Sequence, residues 1–305
     1  MKRVNIIIPQ SRFSSFAYVG RIVAQIIMCL MDNNTPIDFL SVSPIYVRGA
    51  LNILIDDAYI SLNIPKYGDI AWIDTAVEVD MHRVSRQCEI WTCSNKDKAQ
   101  LERLGLKVSK VIPRPFNMLA YSLRNIPMGK KYDVFICGWY REPDRKNFRY
   151  MGELIEKLKL RCVAITNYPL PNRYDFATVD DYTKYMLIKQ SRYVLHLAGN
   201  EGFGLPPLEG LAVGVPAIYL NAPAVNEWAV GYPIRPQTWV TSRIQVSYFN
   251  CNMRYAIPDM KDAIEVTRYA LEQSEEQYYD MSLKAMEKAD AMHKQVLDAL
   301  RKIIM

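Results

Sequence analysis

Short apolar runs alternate with segments of helical period along most of the chain. Val4-Asn5-Ile6-Ile7-Ile8 reads as a buried strand, and residues 16–31 follow with helical spacing. Asp38–Val42, Leu51–Ile55, Asp69–Ile73, Glu89–Cys93 and Val108–Ile112 read as further strands. Between the last two, Ser94-Asn95 offers an N-cap to a helix carrying Ala99, Leu101 and Leu104, and Gly105 offers a stop. Strands that are apolar throughout, separated by helices, predict a parallel sheet covered on both faces.

Pro113, Pro115, Asn117, Asn125, Pro127 and Gly129 then gather in one stretch, which predicts a linker over 116–130. The pattern restarts at Tyr132–Cys137, a strand, followed by strands at Arg161–Thr166, Tyr193–Ala198 and Pro216–Leu220. Helical spacing falls at about 147–159, 180–190 and 205–213. In the last thirty residues, Tyr279, Leu283, Met286, Met292, Val296, Leu300 and Ile303 recur mostly three and four apart, as in a packing helix. The expected organisation is a first lobe over 1–115, the linker, a second lobe over 131–275 and a C-terminal helix over 276–305. Two α/β lobes of this kind place a ligand crevice at the carboxyl ends of their strands.

Composition narrows the class without naming a function. Half of the 305 residues are hydrophobic and 23% are charged, which excludes a disordered chain. With 38 basic and 32 acidic residues the net charge is +6, compatible with an anionic ligand and too small to specify nucleic-acid binding. The six cysteines form no Cys-x2-Cys pair and there are three histidines, so no zinc finger or ribbon is expected. Scattered thiols and the lack of a long apolar leader or span predict a soluble, cytoplasmic protein. Lys96, Lys98, Lys107 and Lys110 read as a solvated face; Tyr278 and Tyr279 read as helix packing.

One segment carries chemistry: Gly199-Asn200-Glu201-Gly202-Phe203-Gly204-Leu205-Pro206-Pro207-Leu208-Glu209-Gly210. It follows a strand and opens a helix. Gly202 and Gly204 allow a tight turn and close approach to a ligand, and the two prolines suit a first helical turn. Backbone N–H groups at such a start favour a phosphate. Glu201 in the loop and Glu209 on the helix are suited to accept hydrogen bonds from two different sugar rings.

Glu-Gly-Phe-Gly-Leu-Pro, then Leu-Glu, Ala212, Gly214 and Pro216, resembles the donor site of GT-B glycosyltransferases, in particular the retaining family-four group with its Glu-x7-Glu pattern. Val111-Ile112-Pro113, Phe135-Ile136-Cys137-Gly138, Arg145-Lys146-Asn147 and Asn226-Glu227 before Gly231 extend the likeness over 111–231. Over 1–110 the likeness is one of topology. The resemblance implies two Rossmann-like lobes of GT-B type with a C-terminal helix packing back across them. It implies transfer of a sugar, a hexosyl group, from a nucleotide-diphosphate donor with retention, without an essential metal or cofactor. By the family's roles, Glu209 would bind the ribose and Glu201 would face the donor sugar. Lys146 and the amides of Gly202, Phe203 and Gly204 would stabilise the diphosphate.

The chain departs from that pattern in three places. Trp139 follows Gly138 where the family has arginine, leaving Arg141 or Arg145 to supply the charge. Pro9–Ser15 replaces a glycine-rich acceptor loop. Trp72-Ile73-Asp74-Thr75 stands where the family leads to a histidine; Asp74 is either its catalytic replacement or a strand-end cap. His82 reads as a surface or core residue, and His196, on the strand before the motif, as packing. The implied partners are a nucleotide-sugar donor and an acceptor left open among glycan, lipid and protein. Peripheral membrane contact stays open, nothing points firmly to nucleic acid, and the oligomeric state is unread. The alternatives are a nucleotide-sugar epimerase on the same fold, or a non-catalytic protein binding nucleotide sugars or nucleic acid.

Overall fold

The computed structural model describes residues 2–8, 15–31, 37–43, 50–57, 70–74, 88–103, 105–175, 179–246 and 249–304. The chain divides into two compact units, Met1–Phe116 with Met292–Met305, and Asn117–Ala291.

In the first unit, β1 (Lys2–Ile7), β2 (Ile37–Ser43), β3 (Leu51–Asp57), β4 (Ile70–Asp74), β5 (Glu89–Thr92) and β6 (Val108–Val111) form a sheet of order β2-β1-β3-β4-β5-β6. Every pairing is parallel. The reason lies in the side chains: Val4, Ile6, Ile53, Leu54, Ile55 and all of Ile70–Ile73 are buried, so both faces must be covered. Helix α1 (Ser15–Met31) turns Val19, Ile22, Val23, Ile26 and Ile27 inward, and α2 (Asn95–Arg103) buries Leu101. At the sheet centre Asn5 and Asn52 are fully buried, and the Asn5 amide donates to Asn52 Oδ1 at 2.9 Å. That bond satisfies polar groups on two neighbouring strands.

The second unit opens with α3 (Leu119–Arg124), inside the segment expected to be a linker. Lys189 Nζ donates to the carbonyls of Leu123, Arg124 and Ile126, closing the C-terminal end of this short helix. Then follow β7 (Tyr132–Cys137), α4 (Phe148–Leu158), β8 (Cys162–Ile165), β9 (Arg173–Tyr174), α5 (Asp181–Lys189), β10 (Ser191–His196), α6 (Leu205–Ala212), β11 (Ala217–Leu220) and β12 (Gly231–Ile234). The parallel sheet has the order β12-β11-β10-β7-β8-β9. Counted from β7, this is the 3-2-1-4-5-6 arrangement of dinucleotide-binding sheets. Its direction of winding reverses between β7 and β10, so the carboxyl ends of those two strands flank an open crevice.

An antiparallel hairpin, β13 (Pro236–Val246) and β14 (Phe249–Pro258), leaves this sheet before α7 (Met260–Leu271) and α8 (Glu275–Ile304). Helix α8 runs through the expected C-terminal helix, with residues from Met292 belonging to the first unit. Its buried stripe is Ala285, Ala289, Met292, Val296, Ala299 and Leu300. Tyr278 packs edge-on against Tyr193 with centroids 5.7 Å apart, whereas Tyr279 is 61% exposed. The expectation that both tyrosines pack holds for Tyr278 alone.

Candidate functional site

The crevice at the β7–β10 reversal is built from two loops. One follows β7 and carries Arg145-Lys146-Asn147; the other follows β10 and carries Gly199-Asn200-Glu201. Backbone bonds stitch them together: Gly199 N–H donates to Arg145 O at 2.8 Å, and Ala256 N–H of β14 donates to Gly199 O at 3.0 Å. The buried Asn147 amide donates to Leu197 O at 2.7 Å and to Ala256 O at 2.9 Å. Asn147 takes a left-handed φ of 59°, a conformation asparagine tolerates better than most residues. Asn200 completes the seam by donating to Arg254 O at 2.7 Å.

The second loop turns into α6 at Gly204, the N-cap, where φ is +98°. A Cβ there would stand 2.7 Å from Val225 Cγ2, so both conformation and space require glycine. Pro206 and Pro207 lie in the first turn of α6. Neither has an N–H, so the donors an anion can meet at this helix start come from the Gly202–Leu205 backbone. Phe203 lies flat against Trp228, centroids 4.8 Å apart at 13°, and both side chains are buried.

Glu201 is the electrostatic centre. Its carboxylate lies 2.9 Å from Lys146 Nζ, 3.4 Å from an Arg145 guanidinium nitrogen and 3.9 Å from His196 Nε2. Burial works against its charge, but Lys146 and Arg145 dominate and hold its carboxyl well below the usual carboxylate range. His196 is driven the other way: burial lowers it to about 4, with Lys146 and Arg145 adding to the effect against the opposing pull of Glu201. It is therefore neutral near pH 7.

A stability prediction follows from His196. Its folded pKa of about 4 lies below the ordinary 6.5, so the unfolded chain binds the extra proton first. Stability is expected to fall as pH drops from 6.5 towards 4, by on the order of 3 kcal/mol at full extent. Denaturant melts across that window should show a smaller fall for His196→Gln. An equal fall would place the lost stability elsewhere.

Glu209 lies on α6, 3% exposed, and accepts a hydrogen bond from Lys184 Nζ of α5 at 2.6 Å. Burial alone would lower Lys184, but Glu209 and Asp181 hold it above its ordinary range. Burial, with the Glu209 carboxylate adding to it, pushes the Cys137 thiol at the end of β7 up to about 12, leaving it un-ionised.

The structure thus brings Arg145, Lys146, Glu201, Gly202, Phe203, Gly204 and Glu209 to the loops after β7 and β10 and to helix α6. Arg141 is exposed and makes no hydrogen bond or ion pair among the described residues; Arg145 is the arginine that meets Glu201. Trp139 is 48% exposed. In the first unit Asp74 ends β4, at a carboxyl end of that sheet. The Asp74 side chain, His82 and Pro9–Ser14 lie outside the described residues. Among the described residues no three His, Cys, Asp or Glu side chains converge as a metal site, and no helix is long and apolar enough to cross a membrane. Sequence reasoning missed His196 and Lys184 as neighbours of the site. A histidine ending the strand before the glycine-rich loop was a signal for the first. Lys184 gave none beyond its charge.

Two parallel α/β units, one with its charged loops at the point where the winding reverses, define the architecture of GT-B glycosyltransferases. Solved structures agree. WaaG, a glycosyltransferase involved in lipopolysaccharide biosynthesis, matches over 98% of this chain and 99% of its own, with a TM-score of 0.61 at 12% identity. Anabaena HepE, solved in complex with UDP and glucose, matches over 99% of this chain and 100% of its own, with a TM-score of 0.61 at 10% identity. These show the fold. No protein-family model matches the chain. Sequence likeness gives the family: the chain is 31% identical over 229 residues to a protein of Sulfolobus islandicus filamentous virus named as glycosyltransferase 48, spanning 72% of this chain and 71% of that one. A second protein of that virus, named as glycosyltransferase 41, is 28% identical over 226 residues, 72% of this chain and 66% of its own. The chain belongs to this viral glycosyltransferase family.

Proposed function

We propose that the protein transfers a hexosyl group from a nucleotide-diphosphate sugar, with retention of anomeric configuration and without a metal, in the manner of family-four enzymes. The observation that carries this reading is the buried Glu201 held between Lys146 and Arg145, one helical turn and a loop away from buried Glu209. Two carboxylates in fixed places suit two sugar rings: Glu209 for the ribose, Glu201 for the donor sugar. The cations suit the diphosphate between them. As the bond to the sugar breaks, negative charge grows on that diphosphate. Lys146, Arg145 and the Gly202–Leu205 amides are preorganised donors for it, the role a metal fills elsewhere. HepE, a structural neighbour, is solved with UDP and glucose, which supports a nucleotide sugar as the ligand here. On the acceptor side we assign Asp74, at the end of β4, to the reaction centre.

Retention can be tested before the acceptor is known. Water replaces the acceptor in slow donor hydrolysis, so the anomer released reports the stereochemistry. With the α-linked donor that the protein binds, proton NMR taken ahead of mutarotation is expected to show the α-sugar first, in EDTA as well as in magnesium. Initial release of the β-sugar would make the enzyme inverting. Loss of turnover in EDTA would introduce a metal.

A further inference from the structure

Lys184 stands on the first turn of α5, three residues after Asp181. Its Nζ lies 2.6 Å from Glu209 Oε1 and 3.3 Å from Asp181 Oδ1. Asn117 in turn donates to Asp181 Oδ2 at 3.0 Å. The Lys184 and Glu209 side chains are 14% and 4% exposed, so the pair is almost sealed from water. Burying two charges costs about as much as their attraction returns, and apolar residues of the same volume often serve stability better. A task explains the pair better than stability does.

The geometry suggests the task. A carboxylate with neither oxygen held would be free to rotate. Lys184 fixes one of its oxygens. Among the described residues no hydrogen-bond donor reaches the other. We propose that Lys184 is the positioning residue for ribose recognition: it anchors Glu209 through Oε1 and leaves Oε2 to accept a hydrogen bond from the ribose 2′-hydroxyl. The inference rests on the reading of Glu209 as the ribose-facing carboxylate. It adds that the nucleotide's sugar is read by a pair contributed from two helices, α5 and α6. Asp181 and Asn117 hold the lysine from behind.

The test is the preference for ribose over deoxyribose. Calorimetric Kd values for UDP and dUDP, and in parallel for GDP and dGDP, give a ratio that does not depend on how much of a variant is folded. Wild type is expected to prefer the ribonucleotide by about tenfold or more, the worth of one hydrogen bond to a charged acceptor. Glu209→Gln should bring the ratio close to one. Lys184→Met should do the same, Lys184→Arg should keep most of the preference, and the double variant should be no worse than Glu209→Gln, because the two residues act as one unit. The uncharged double variant also covers the case in which Lys184→Met alone folds poorly. If Glu209→Gln abolishes the preference and Lys184→Met leaves it intact, Lys184 is only a structural counter-ion and the inference fails. If wild type shows no preference, or Glu209→Gln retains it, the reading of Glu209 itself fails and takes the inference with it.

Discussion

Lys146→Ala is expected to lower donor turnover by about 10²- to 10³-fold, the usual cost of removing one preorganised donor aimed at developing charge. Lys146 is the cation nearest Glu201, at 2.9 Å, with Arg145 at 3.4 Å. The substitution therefore has a second effect: Glu201, 9% exposed, is left with weaker compensation for its buried charge. Stability should fall as well, and the two effects separate by assay. Release of nucleoside diphosphate per folded molecule reads the chemistry, and a denaturant melt reads the fold. Lys146→Arg keeps the charge and is expected to recover much of the turnover. Wild-type turnover in Lys146→Ala would assign the diphosphate to another cation.

Gly199→Ala is expected to cause a large loss of stability. A Cβ at that position would stand 2.0 Å from the carbonyl oxygen of Ala256 and 2.6 Å from its nitrogen. Those are backbone atoms, paired with Gly199 itself and with Asn147, and no side-chain rotation relieves the clash. Separating β14 from the loop should cost roughly 2–4 kcal/mol, as overpacking against a fixed neighbour does. For a unit of this size that is a fall of about 4–16 °C in Tm. Donor affinity should drop with it, because Glu201 is two residues further along the same loop. Gly152→Ala is the matched control. It lies within α4, where a Cβ would meet Leu170 Cδ2 at an ordinary 3.6 Å, and is expected to raise stability by about 0.5–1 kcal/mol. A fall in Tm for Gly152→Ala equal to that of Gly199→Ala would contradict the steric account.

The parallel sheets were legible because their strands are apolar on both faces: Ile70-Ala71-Trp72-Ile73 has no polar side to confuse the reading. The donor loop was legible because glycine and proline punctuate it and its two glutamates are close in sequence. Features made by tertiary packing were hidden. Lys184 and Glu209 are 25 residues apart and meet only because α5 and α6 are neighbours. The buried face of α8 is marked by Ala285 and Ala289, which carry little hydrophobic signal, while the more conspicuous Tyr279 and Leu283 face solvent. The hairpin β13–β14 was only half hidden: in β13 Thr238, Trp239, Thr241 and Arg243 are all exposed, whereas β14 carries an alternation, Met253 and Tyr255 buried between exposed Asn252 and Arg254, that the reading of the sequence passed over. Helix α3 is six residues long and sits among prolines, too short to show a period.

The central claim is that the loops after β7 and β10 bind a nucleotide-diphosphate sugar through Glu201, Lys146 and Glu209. Thermal unfolding of wild type and of Glu209→Ala against UDP-, GDP-, ADP- and dTDP-sugars, with and without EDTA, tests it most directly. A ligand bound to the folded state alone raises Tm by mass action. One donor is expected to raise the Tm of wild type whether or not EDTA is present, and to raise that of Glu209→Ala far less at the same concentration. An equal shift in both proteins, or no shift with any donor, would contradict the claim.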